Sequence, residues 1–166
     1  TEFQAGTIVA YLRSLASGGE SDVALGDPAR GREIFEGKGQ CMNCHRVRGE
    51  GSRLGPNLSD IGTLRRPASL EQSLLDPSAE ILPQNRIVRA VTKDGKTITG
   101  HLMNEDTFTV EVLDTHERLR LLQRSDLSEF TFVDQSPMPS YKGKLSKQEL
   151  SDLLGYLASL KGVEIK

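Results

Sequence analysis

Near the C-terminal end, Leu150, Leu153, Leu154, Leu157 and Leu160 recur at three- and four-residue spacing, which predicts a helix with one apolar face. Ser146-Lys147-Gln148-Glu149 is a capping box at its start, Leu145 and Leu150 flank it as a hydrophobic staple, and Gly162 is expected to stop it. A second helix is expected to open at Asp27-Pro28, with Asp as N-cap and Pro at the first helical position, and to end at Gly37 to Gly39. Residues 47–57 read as loop. A short helix is expected from Pro67 to Leu75, closed by Asp76-Pro77, with Leu70, Leu74 and Leu75 facing inward.

Between Arg86 and Val133 the period becomes strand-like. Phe108, Val110 and Val112 alternate with Thr107, Thr109 and Glu111, and Ile98, Gly100 and Leu102 form another alternation. Leu119 with Leu121, and Phe130 with Phe132, continue the pattern, while Lys93-Asp94-Gly95-Lys96 signals a two-residue hairpin of type I′. Four or five short antiparallel strands are expected, as an insertion over residues 86–133.

Residues 1–19 contain a third helical spacing, Ile8, Tyr11, Leu12 and Leu15, which echoes Tyr156-Leu157 and its neighbours. Two readings stay open, the last helix of a preceding module or a plain amphipathic helix. A linker is expected from Ser17 to Gly26. The formal net charge is only −2 over 166 residues, so composition points neither to nucleic acid nor to an anionic membrane. The basic residues of the insertion, Arg86, Arg89, Lys93, Lys96, Arg118, Arg120 and Arg124, alternate with acids and read as a solvated face. No run of about eighteen apolar residues is present to span a bilayer, and Thr1 is not followed by a leader pattern, so a processed chain or an excised segment is expected.

Chemistry enters at Cys41-Met42-Asn43-Cys44-His45. The pattern C-x-x-C-H is the covalent attachment signature for a c-type haem, in which two thiols on one short turn add to the vinyl groups of a porphyrin and the next residue lies beneath the iron. Zinc and dithiol redox sites also use C-x-x-C. A zinc site needs four ligands, however, and the only other histidines are His101 and His116. A thioredoxin-like site sits between a strand and a helix, whereas Cys41 follows a Gly-Lys-Gly loop. One haem c is therefore expected, with Cys41 and Cys44 as its thioether links and His45 as the proximal ligand. Both cysteines are then used, and none is left for a disulfide.

Among the methionines, Met42 lies inside the attachment turn and Met103 lies among the strands. Met138 is bracketed by Pro137 and Pro139, which exclude a helix and hold the segment extended. A sulfur on a stiff loop loses little chain entropy on binding, so Met138 is the expected second axial ligand, and a thioether there raises the reduction potential relative to a second histidine.

The ordered segments Gly31 to Phe35, Cys41 to His45, Gly55-Pro56-Asn57-Leu58, Met138-Pro139 and Tyr156-Leu157 resemble a class I cytochrome c. The succession continues through Leu75-Asp76-Pro77, the Asp94-Gly95 hairpin and Gly100-His101-Leu102. In that order it resembles the haem-binding domain at the C-terminal end of large predicted dehydrogenases, over about residues 27 to 160. The resemblance implies a mainly α cytochrome c fold with an inserted small antiparallel β-sheet, α+β overall. The cytochrome part would comprise residues 20–85 and 134–166. It implies further that the first and last helices cross at Gly31 with Phe35 and Tyr156 packed beside them, that Pro56 offers its carbonyl to the proximal imidazole, and that Pro56, Leu58 and Tyr141 line the haem pocket. A buried porphyrin would also account for an aromatic content of only 5%. The insertion resembles a small Sm-like barrel, from which no RNA binding is inferred.

The function so implied is one-electron transfer, with no catalytic residue, to a redox partner such as a dehydrogenase or another cytochrome. Its place would be the periplasm or another compartment outside the bacterial cytoplasmic membrane. The rival is a haem enzyme or gas-binding sensor whose Met138 is displaceable. Arg53, Arg65 and Arg66 are candidate partners for the haem propionates, with surface solvation the expected role of at least two. Whether the insertion is a docking surface or inert decoration stays open.

Overall fold

The computed structural model describes residues 7, 8 and 23–162. Its helical part is built on the crossing of α1 (Pro28–Glu36) and α4 (Lys147–Ser159). Asp27 caps α1 by accepting from the amides of Ala29 at 2.7 Å and Arg30 at 3.2 Å. Ser146 and Glu149 form the capping box of α4 in both directions. The helices approach at Gly31, where an added Cβ would collide with the Asp152 carbonyl and with Cβ of Tyr156. The Phe35 and Tyr156 rings pack beside that point, their centroids 5.3 Å apart. Beneath the crossing lies a core of Phe35, Val47, Leu70, Leu74, Leu153, Leu154, Leu157 and Leu160.

Two shorter helices complete this layer, α2 (Ile61–Leu64) and α3 (Pro67–Leu75). Gly62 lies so close to Ala158 that a side chain there would meet its carbonyl, and the Gly62 amide donates to the Leu160 carbonyl at 2.8 Å. α3 starts at its proline and buries Leu70 and Leu74, while Leu75 is half-buried. α4 ends at Ser159, earlier than Gly162 implied. Gly162 instead turns the chain at φ +77° and donates its amide to Ser59 at 2.9 Å.

Strands β1 (Arg46–Val47) and β2 (Glu50–Gly51) pair antiparallel inside the stretch expected as loop. Arg48 and Gly49 join them with φ of +52° and +91°, the two left-handed residues that a type I′ turn requires. The expected type I′ turn at Asp94-Gly95 is a different turn. Gly95 has φ +85° but Asp94 is not left-handed, and Thr92 and Lys96 close a three-residue loop.

Residues 87–133 form a five-stranded antiparallel sheet in the order β6-β5-β4-β3-β7. Its strands are β3 (Ile87–Thr92), β4 (Thr97–Glu105), β5 (Thr109–Asp114), β6 (Leu119–Gln123) and β7 (Leu127–Val133). One face encloses a second core of Val88, Val110 and Val112, joined by Ile98, Leu102, Leu122, Leu127 and Phe130. Three apolar residues of the expected alternation do not point there. Phe108 precedes β5 and is 74% exposed, and Leu119 and Leu121 are exposed because Arg120 and Leu122 take the inward register. Arg120 is drawn in by the buried Asp114, 2.9 Å from its Nε.

Among the other basic residues of the sheet, Arg89 meets Glu129, Arg124 meets Glu105, Lys96 meets Asp94, Arg118 meets Asp114 and Arg86 lies over Phe132. Of the expected N-terminal helix, Thr7 and Ile8 are described, both helical and exposed, and the rest lies outside the described residues. The expected linker is described from Val23, and there it is docked. Val23 packs on the main core, and Ala24 and Gly26 hydrogen-bond Ser151.

Candidate haem-attachment site

Gln40 enters the left-handed region at φ +51° and feeds a single 3₁₀ turn, Cys41–Asn43. Cys44 closes this turn, three residues after Cys41. The Cys44 and His45 amides both donate to the Cys41 carbonyl, at 3.1 and 2.8 Å. Both thiols are free, Cys41 buried and Cys44 exposed. Burial pushes the Cys41 thiol above its ordinary range, against the opposing contact of the Tyr141 hydroxyl 3.9 Å away.

His45 is held from behind. Its Nδ1 is 2.9 Å from the Pro56 carbonyl, and a carbonyl can only accept. That fixes the proton on Nδ1 and leaves the Nε2 lone pair available to a metal. Burial lowers the imidazole pKa, with the Pro56 contact working the other way. Gly55 is required here, because a Cβ would lie 2.9 Å from both Cε1 and Nδ1 of the ring. The Gly55 amide also donates to the Cys44 carbonyl at 2.6 Å.

The methionine loop is tied on both sides of Met138. Before it, the Ser136 amide donates to Ser78 Oγ at 3.1 Å and the Met138 amide to Ser136 Oγ at 3.2 Å. After it, Ser140 Oγ donates to the Leu75 carbonyl at 2.6 Å and the Tyr141 amide to the Leu74 carbonyl at 2.9 Å. Tyr141 then spans to the attachment turn, its hydroxyl donating to the Gly39 carbonyl. Half-buried Met138 and Leu58 pack against the same core as Cys41 and Tyr141.

Cys41, Leu58, Tyr141 and Met138 therefore share one apolar cluster, with Pro56 bonded to His45 beside it. Two thiols on one turn, a neutral imidazole with Nε2 available and a tethered thioether are a donor set that fits a covalently linked haem. Among the described residues no three His, Cys, Asp or Glu side chains come together to hold a metal ion, so the zinc reading has no ligand set.

Arg53 and Arg65 are occupied within the protein, Arg53 by Glu117 and Arg65 by Glu80 and Ser73. The sheet also comes close to the site. A groove of about 610 Å³ runs between them, lined by Arg53, Gly55 and Pro56 on one side and His101, Leu113 and Leu119 on the other. Glu117 was not singled out from the sequence, where nothing marks a glutamate whose partners lie more than sixty residues away, and His101 entered only as a remaining histidine and within Gly100-His101-Leu102.

A family model described as Cytochrome c matches residues 28–110, half of the chain, from α1 through the attachment turn into β5. A search of curated proteins gave no match.

Proposed function

The chain belongs to the cytochrome c family, and from that premise we propose a one-electron carrier in which His45 and Met138 are the axial ligands of a single haem c. Family membership implies covalently bound haem c, an electron-carrying role in place of catalysis, and a redox partner. When bound, the haem supplies an iron that gains and loses one electron.

The chain's own residues do the rest. Cys41 and Cys44 supply the thioether links, and Pro56 orients His45 and raises its basicity through Nδ1. Tyr141 ties the methionine loop to the Gly39 carbonyl just ahead of the attachment turn, which holds the two ligand-bearing segments against each other. Pro56, Leu58 and Tyr141 wall the pocket, and limiting movement of both ligands keeps reorganisation small when the charge changes. The observation that carries this reading is the 2.9 Å contact from Pro56 to His45, the residue directly after the turn that carries both cysteines.

The test is spectroscopic. The ferric protein is expected to show a thioether-to-iron charge-transfer band, and the ferrous protein to leave carbon monoxide unbound. Met138→Ala should abolish the band. An unchanged spectrum in that variant would remove Met138 from the site, and ready binding of carbon monoxide by the parent would favour a haem enzyme or gas sensor.

The chain is further proposed to be the cytochrome module of a dehydrogenase or electron-transfer assembly outside the cytoplasmic membrane, where bacteria attach haem c. Among the described residues no helix is long and apolar enough to cross a membrane. The sheet supports a docking role, since it exposes Met103 and Leu119 beside the attachment site.

A further inference from the structure

Two three-residue loops of the sheet follow one backbone path. In the β3–β4 loop the Thr92 amide donates to Lys96 and the Gly95 amide to Thr92, both at 2.9 Å. In the β5–β6 loop the Asp114 amide donates to Arg118 and the Glu117 amide to Asp114, again at 2.9 Å. The last loop residue is left-handed in both, Gly95 at φ +85° and Glu117 at φ +58°. Glycine adopts that backbone without strain and glutamate does not, so the turn itself gives no reason for Glu117.

Its side chain does. The Glu117 carboxylate accepts from Ser52 Oγ at 2.6 Å, from the Arg53 amide at 3.2 Å and from Arg53 Nε at 3.3 Å. The Ser52 hydroxyl, followed by the Arg53 amide, holds that carboxyl below its usual range. Buried Asp114 fixes the loop beneath it, accepting from the amides of His116 and Arg118 and from Nε of Arg118 and Arg120.

Ser52 in turn belongs to the frame of the proximal ligand. Its amide donates to the Met42 and His45 carbonyls at 3.2 Å, and its Oγ accepts from the Leu54 amide at 3.1 Å. The two residues after Leu54 are Gly55, against the His45 ring, and Pro56, bonded to its Nδ1. His101, which pairs with Leu113 across the sheet, lines the same groove as Gly55 and Pro56. An unbroken path of hydrogen bonds and covalent links therefore runs from the β5–β6 loop to the imidazole.

We propose that the β5–β6 hairpin clamps the loop 52–56 that orients His45, with Glu117 as the positioning residue. The consequence for the haem rests on His45 being its ligand: a firm loop keeps the Pro56 bond short, the imidazole basic and its plane fixed. The sheet is then part of the ligand's outer support as well as an attached surface.

Hydrogen exchange in the ferrous holoprotein, followed by NMR, tests this. Glu117→Gly removes the carboxylate and the backbone strain together. Exchange of the Gly55 amide and the His45 Nδ1 proton should accelerate by about tenfold, with the amides of α1 and α4 still protected and the urea midpoint not lowered. Glu117→Gln keeps an oxygen for Ser52 and should stay within about twofold of the parent. Unchanged exchange at both positions in Glu117→Gly would overturn the clamp. An absorption spectrum without His45-ligated haem would instead overturn the ligand assignment, and the Gly55 amide would still report on the clamp.

Discussion

At the crossing of α1 and α4, Asp152 is 2% exposed and accepts from the Asp27 amide, Arg30 and Gln148. The Arg30 guanidinium holds its carboxyl far below the ordinary carboxylate range. Asp152→Ala would strand those donors, so a lower melting temperature with an unchanged haem spectrum is expected. Gly55 makes the opposite kind of demand. Gly55→Ala puts a methyl 2.9 Å from the His45 ring, which should cost about 1–3 kcal/mol in urea unfolding and also disturb the haem spectrum. Within the candidate site, Cys41, Cys44 and His45 stand out in the sequence because the expected chemistry needs fixed spacing, and two prolines single out Met138 as the proposed second ligand. Buried Asp152 and half-buried Glu117 were not legible because their key partners lie more than sixty residues away, and buried Asp114 because partners two to six residues on make it look like an ordinary turn carboxylate.

Elements were readable where a local signal determines them. Asp27-Pro28 starts α1 and Ser146 to Glu149 starts α4 because each cap is satisfied within three residues. Strand facing depends on register, and a one-residue slip reverses every side chain. In β6, with Leu119, Leu121 and Leu122 all apolar, the buried Asp114 decided which way Arg120 faced. The four-residue α2 is too short to show a period, and the Arg48-Gly49 turn lacks the usual Asn-Gly or Asp-Gly pair. Two outcomes belong to α4. Leu153→Ala empties a fully buried site and should destabilise by about 2–5 kcal/mol in urea unfolding. Lys38, then the Ser146 amide, bring the Glu149 pKa down from 4.5 to about 2. A depressed carboxylate stabilises above its unfolded pKa and loses that contribution as pH falls through the folded value. The stability gap between the parent and Glu149→Gln should therefore be full above about pH 4.5 and close on acidification toward pH 2, read from urea midpoints across that range.

For the whole molecule, the question is what the sheet adds to the helical part. Replacing residues 86–133 with a short Gly-Ser bridge separates its two proposed roles. Intact haem absorption with lost reduction by the partner would support docking, and unaffected reduction would remove it. Faster exchange at Gly55 in the same variant is the result expected of a missing clamp, checked by NMR. The variant is practicable because of how the chain enters and leaves the sheet. Ser78 lies just after α3 and Ser136 just before Met138, and the two are hydrogen-bonded to each other. With its two ends fastened that near, everything between them is a cassette. Another small fold with neighbouring termini can be grafted at the same seam, giving the haem a new recognition surface while the methionine keeps its moorings.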